Sequence, residues 1–135
     1  MRAAPVPAAV AAVRSYGAVA VVYAAMMWAD GADGWAIVGK SGELVPLWVP
    51  PAVDDDPAYR EFLRQHPDVL LWSDAIGWPR AASAAGGEQL AFEFSLKVCH
   101  ACAKLGAATV VYDFDRDGRY QGARLRRIVA QPATP

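Results

Sequence analysis

Two cysteines and two histidines in 135 residues leave little material for a metal centre. Both cysteines belong to one motif, Cys99-His100-Ala101-Cys102. A closed zinc site needs two further ligands. His66 stands far away in sequence, and His100 lies between the thiols, where reaching the same ion is awkward. No run reaches the ~18 consecutive apolar residues of a membrane helix. Charge nearly cancels at −1, so no overall field favours nucleic acid or an anionic membrane. The zincin H-E-x-x-H, the nucleophile elbow, the P-loop and the dinucleotide fingerprint are all missing. No catalytic residue, metal or cofactor is therefore expected.

What the chain does have is enough apolar material for one domain over residues 1–135. Hydrophobic residues make up 55% and charged ones 20%, but alanine inflates the first figure and fills little volume. The five Trp, five Tyr and four Phe must supply much of the packing area. The opening MRAAPVPAAVAAV is a poor signal peptide, because prolines interrupt it and Arg14 ends the apolar run. As written, the chain reads as cytoplasmic. It reads as periplasmic if Met1 replaces a removed signal peptide, and the two cysteines fit either compartment.

The pattern of apolar runs and breakers predicts an α+β fold: a largely antiparallel sheet of five to seven strands with one or two helices on one face. Pro7 and Gly17 bracket a short predicted helix over Ala8 to Tyr16. Short apolar runs separated by Asp-Gly and Ser-Gly turns suggest a three-stranded meander over 20–49, with Pro46 marking its last strand as an edge or as ending in a bulge. The clearest helix follows Asp56 as N-cap and Pro57 as first helical residue, places Tyr59, Phe62 and Leu63 on one face, and stops at Pro67. Residues 69–72 suggest a short strand, and an irregular stretch follows through Pro79 to Gly87.

Residues 88–98 alternate strictly. Leu90, Phe92, Phe94, Leu96 and Val98 share one face, while Gln89, Ala91, Glu93, Ser95 and Lys97 share the other, as in a half-buried antiparallel strand. The C-terminal third reads as strand, turn and strand. Ala108, Val110, Tyr112 and Phe114 lie on one face there, with Asp113 and Asp115 opposite.

Four features carry potential chemistry. Cys99 and Cys102 have the spacing of a small disulfide or a thiol-redox pair. The chain after them, AKLG, is too short for the helix that thioredoxin-like enzymes place there, so a structural disulfide or a pair of half-buried thiols is the simpler reading. Asp113, Asp115, Asp117 and Gly118 match the first half of a calcium loop, but Arg124 stands where the bidentate carboxylate belongs. A tight Asp-Gly turn explains the same letters. Arg116, Arg119, Arg124, Arg126 and Arg127 suit a charge-protected edge strand or, alternatively, an anion cradle. Trp72 and Trp78 flank an irregular segment, and the acidic Asp54 and Asp55 sit at a helix start. All four are candidates for partner binding, although helix capping and core packing account for them as well.

Residues 35–50, WAIVGKSGELVPLWVP, resemble a bacterial domain family of unknown function through Gly34, Trp35, Ala36, Gly42, Pro46, Leu47 and Trp48. Val49 departs from its pattern and delays the proline to Pro50. Cys99-His100-Ala101-Cys102-Ala103 followed by Gly106-Ala107-Ala108 is similar to a segment of small, often exported bacterial proteins. Neither resemblance implies an activity. With no assembled site, the expected function is non-enzymatic binding of another protein, as in a toxin-neutralising immunity protein. A thiol-redox protein or enzyme centred on Cys99 and Cys102, or a small-anion-binding module, is the alternative. Neither nucleic acid nor membrane insertion is expected.

Overall fold

The computed structural model describes residues 9–25, 34–49, 51–73, 76–84 and 86–131. Four strands form the first sheet: β1 (Ala9–Tyr16), β2 (Val19–Ala25), β3 (Gly34–Gly39) and β4 (Leu44–Pro46). They pair antiparallel in sequence order. A single helix among the described residues, α1 (Pro57–Gln65), leads to the second sheet. That sheet contains β5 (Leu70–Trp72), β6 (Arg80–Ala84), β7 (Gly87–Lys97), β8 (Gly106–Asp115) and β9 (Tyr120–Ala130). Its order is β5-β7-β8-β9, with β6 also pairing with β7, and every pairing is antiparallel.

The fold is therefore mostly β, two antiparallel sheets and one short helix, and not the α+β arrangement of one sheet faced by helices. The predicted helix over 8–16 is the first correction. Its described residues, 9–16, form β1. Alanine favours helix locally, but the β1 residues pair from Ala9↔Ala25 to Tyr16↔Val19. Gly17, at φ +60°, opens the two-residue turn between the strands. That positive φ is what tight hairpins require at this position, so Gly17 turns a strand and does not end a helix. The second correction lies in 79–87, expected to be irregular. Residues 80–84 extend as β6 along β7.

The meander over β2, β3 and β4 is as expected, with Pro46 on the sheet edge; the GADG turn lies largely outside the described residues. Helix α1 also matches. Asp56 accepts hydrogen bonds from the backbone N–H groups of Ala58 and Tyr59 at 2.8 and 3.4 Å, and Tyr59 and Phe62 are buried.

The core lies between the sheets. Val21, Ile37 and Val45 align across the first sheet and belong to one cluster with Leu90, Phe92, Phe94, Leu96, Val110, Tyr112 and Phe114 of the second. Alternation along β7 and β8 delivers the latter set to one side. Val98 is a correction: it is 43% exposed because β7 ends at Lys97. Tyr59 and Phe62 of α1 join the same cluster.

One end of the sandwich is closed by glycines. A Cβ on Gly39 would overlap the carbonyl oxygen of Gly118, and one on Gly118 would lie 2.6 Å from the Ala18 oxygen and 3.0 Å from the Lys40 nitrogen. The β8–β9 turn thus sits directly on the turns of the first sheet. Glu43 secures it by accepting a hydrogen bond from the Tyr120 N–H at 3.1 Å.

Candidate functional site

The cysteine turn is built where β7 stops. Leu96 pairs with Gly106, and Leu96 also accepts a hydrogen bond from the Leu105 N–H at 2.7 Å. The ladder is closed beneath the excursion that carries Cys99 to Cys102. A backbone bond from the Cys102 N–H to the Cys99 carbonyl, 3.1 Å, tightens the turn. The two Cα atoms are 5.0 Å apart and the sulfurs are at bonding distance, within the range a disulfide needs. Cys99, His100 and Ala101 are exposed, and Cys102 is half-buried.

Two residues clamp this turn to β5. Lys97 is buried to 8% exposure, and its Nζ donates to the His100 carbonyl at 2.9 Å. The same ammonium lies 5.4 Å from the centre of the Trp72 ring, a cation–π arrangement. The Trp72 indole N–H donates to the Lys97 carbonyl at 2.9 Å, and the His100 ring lies 5.8 Å from that of Trp72. Sequence reading placed Lys97 merely on the polar face of β7. Its position next to the motif, at the strand end, was the available signal.

Trp72 is therefore engaged within the molecule, and so is Trp78. The ring of Trp78 meets Trp35 edge-on at 4.8 Å, Trp35 lies 4.8 Å from Tyr23, and the Arg14 guanidinium sits 4.3 Å over Trp78. This ladder seals one margin of the sandwich. Asp54 and Asp55 are exposed near the start of α1. Arg60 binds both, through its Nε to the Asp54 carbonyl at 3.2 Å and its Nη2 to the Asp55 carboxylate at 3.0 Å. The structure gathers neither tryptophan with these acids.

The acidic loop is a turn. Asp115 Oδ1 accepts from the N–H groups of Asp117 and Arg119, each at 2.9 Å, and Gly118 holds φ +80°. Asp113 pairs with Arg124 at 3.1 Å, so the residue that breaks the calcium pattern neutralises one of its carboxylates. Among the described residues, no group of three or more His, Cys, Asp or Glu side chains is placed to hold a metal ion.

The outer faces of the sheets differ sharply. Cross-strand partners share a face, so the outer face of the second sheet carries the rows Glu93, Thr109, Arg127 and Ala91, Val111, Arg124. That is the charged surface expected of a sandwich. The first sheet carries Val13, Val22, Ala36, Pro46 and Ser15, Ala20, Val38, Leu44 in matching rows on that side, with Ala36 itself buried. No charged residue stands in either row. Val13 and Leu44 are 55% and 54% exposed, and a concavity of about 560 Å³ is lined by Ser15, Gly17, Ala20, Val38 and Lys40. The signal was present in the sequence. Residues 18–25 are a continuous apolar run, not an alternating one, the mark of a strand with both faces away from water.

No protein-family model matches this chain, and no curated protein or solved structure matches it either. The functional reading thus stands on the residues and their geometry. A second, smaller concavity, about 220 Å³, lies on the charged sheet beside Glu93, Lys104, Thr109 and Arg127. Glu93 approaches Lys104 to 3.7 Å there, which places an anion's competitor in the site. No helix among the described residues is long and apolar enough to cross a membrane. The disulfide-distance pair is compatible with an exported protein.

Proposed function

We propose that this chain is a non-enzymatic protein-binding domain whose docking surface is the outer face of the four-stranded sheet. The observation that carries the reading is the uncharged aliphatic surface along Val13, Val22, Val38 and Leu44. An antiparallel sheet normally turns a polar face to water, and a contiguous apolar patch marks an interaction site. The occupant it fits is a different protein with an apolar surface, since an ion buried against the two strand rows would meet no charged residue in them, and Lys40, which lines the concavity, would counter an anion only. A toxin-neutralising immunity protein is one protein of that kind, with the exposed Asp54 near the start of α1 available to steer a basic partner.

The test is a photo-crosslinking residue at Val38, with a control at Glu93 on the opposite sheet, both introduced in the native host. The expected result is one defined protein captured through Val38 alone. That protein, once purified, should bind the wild-type chain and lose binding to Val38→Asp. Capture of only a second copy of this chain would overturn the choice of partner. Equal capture from both faces, or none, would overturn the docking surface itself.

A further inference from the structure

We propose that Cys99 and Cys102 form a reversible exchange site for small thiols, with Lys97 as its positioning cation. This concerns the far end of the second sheet and stands independently of the docking face. Three observations carry it. Cys99 is exposed while Cys102 is half-buried, so the Cys99 side of the bond is the more open one to an incoming thiolate. The ladder is closed beneath the turn by the Leu105–Leu96 bond and the Leu96↔Gly106 pair, so opening the disulfide leaves both strands paired. The buried Lys97 ammonium is held against the carbonyl of His100, a residue of the loop that joins the two cysteines. An ammonium anchored on the backbone of this turn adds positive charge to the short loop that must carry the departing thiolate.

The loop itself adds little resistance. Only two residues separate the cysteines, and chain-entropy stabilisation grows with loop length. Exposed disulfides with little structural stake are the labile class. In the exchange, a thiolate RS⁻ attacks the Cys99 sulfur, the bond between the cysteines breaks, and its electron pair leaves on Cys102. A second RS⁻ then attacks the thiol's own sulfur in the mixed disulfide, releasing Cys99 as thiolate and RSSR as product. Two RSH are oxidised, the protein disulfide takes both electrons, and the two protons end on Cys99 and Cys102.

The experiment equilibrates the folded full chain in glutathione buffers of graded redox ratio at neutral pH. Thiols are trapped by alkylation and counted by mass, alongside far-ultraviolet circular dichroism and tryptophan fluorescence. The expected result is reversible reduction in millimolar glutathione with the β signal unchanged. Emission should shift in the wild type and not in Trp72→Phe, because Trp72 is clamped to the turn through Lys97. Exchange in Lys97→Met should be slower by about tenfold, and Lys97→Arg should recover most of that rate. A bond that resists glutathione until denaturant is added would overturn the proposal, as would loss of the β signal on reduction. If Lys97→Met does not fold, Cys102→Ser takes its place. Its Cys99 should be captured by oxidised glutathione in the folded state, and failure of that capture overturns the proposal equally.

Discussion

Tyr112 lies in the core at 2% exposure, and its hydroxyl has no hydrogen-bond partner among the described residues. Its ring is nevertheless well placed, edge-on to Phe92 at 5.6 Å and stacked on Tyr120 at 6.2 Å. An unpaired buried hydroxyl costs about 1–3 kcal/mol in desolvation, so Tyr112→Phe should preserve the packing and remove the penalty. Chemical denaturation should show Tyr112→Phe as stable as wild type or more so; a loss above about 1 kcal/mol would mean the hydroxyl is bonded after all. Burial also pushes the phenol of Tyr112 above its ordinary 10.0, with a further contribution from Tyr120. Tyr120 itself is raised by burial and by the nearby Asp113 and Glu43 carboxylates. Phenols raised on folding ionise first in the unfolded chain. Their contribution is complete below pH 10.0 and is lost as pH rises beyond it toward the folded values. Melting temperature should therefore fall steeply above that pH, and Tyr112→Phe should flatten the fall. The alternation around Tyr112 made its burial legible in the sequence. Its missing partner was not legible, because that depends on what faces it across the sandwich.

At the scale of elements, legibility followed the strength of the local pattern. Asp56-Pro57 marks a helix start through capping chemistry alone, and α1 begins there. Asp56→Ala should cost about 1 kcal/mol in a denaturation experiment, since two N–H groups lose their acceptor. Strands β7 and β8 alternate over ten residues or more, and their inner face was legible from Leu90 to Leu96 and from Ala108 to Phe114, while Val98 falls beyond the end of β7 and is exposed. Strand β1 was not. Its alanines favour helix, and only pairing along the length of β2 decides otherwise. Strand β6, with two alanines and a serine between its ends, carries almost no signal and exists because β7 offers an edge. Gly118 shows the same limit. The sequence marks it as a turn glycine, but not as the point where that turn meets Ala18 and Lys40 across the molecule. Gly118→Ala combines a positive φ with contacts to backbone atoms. It should cost roughly 2 kcal/mol or more, well beyond the strain of an isolated turn, and thermal melts would measure it.

For the whole molecule, the decisive arrangement is that one sheet has a charged outside and the other does not. Both sheets supply one core, so the inner rows Val21, Ile37, Val45 and Leu90, Phe92, Phe94 are fixed by packing. The outer rows are not, and their composition reports what they meet. Arg124 and Arg127 keep the β9 side in water. Val13 and Leu44, half-exposed on the other sheet, make no contribution to the shared cluster. A protein that folded only for itself would gain nothing from aliphatic side chains there. The consequence is testable without any partner. Substituting Val13→Lys and Leu44→Lys together should leave the melting transition within about 0.5 kcal/mol of wild type per site, as surface changes do. The same charge placed inward by Ile37→Lys should unfold the domain, because an unpaired buried ammonium has nothing to compensate it. A loss of several kcal/mol from the outer pair would show that the face is already covered within the chain, and the docking surface would then have to be sought elsewhere.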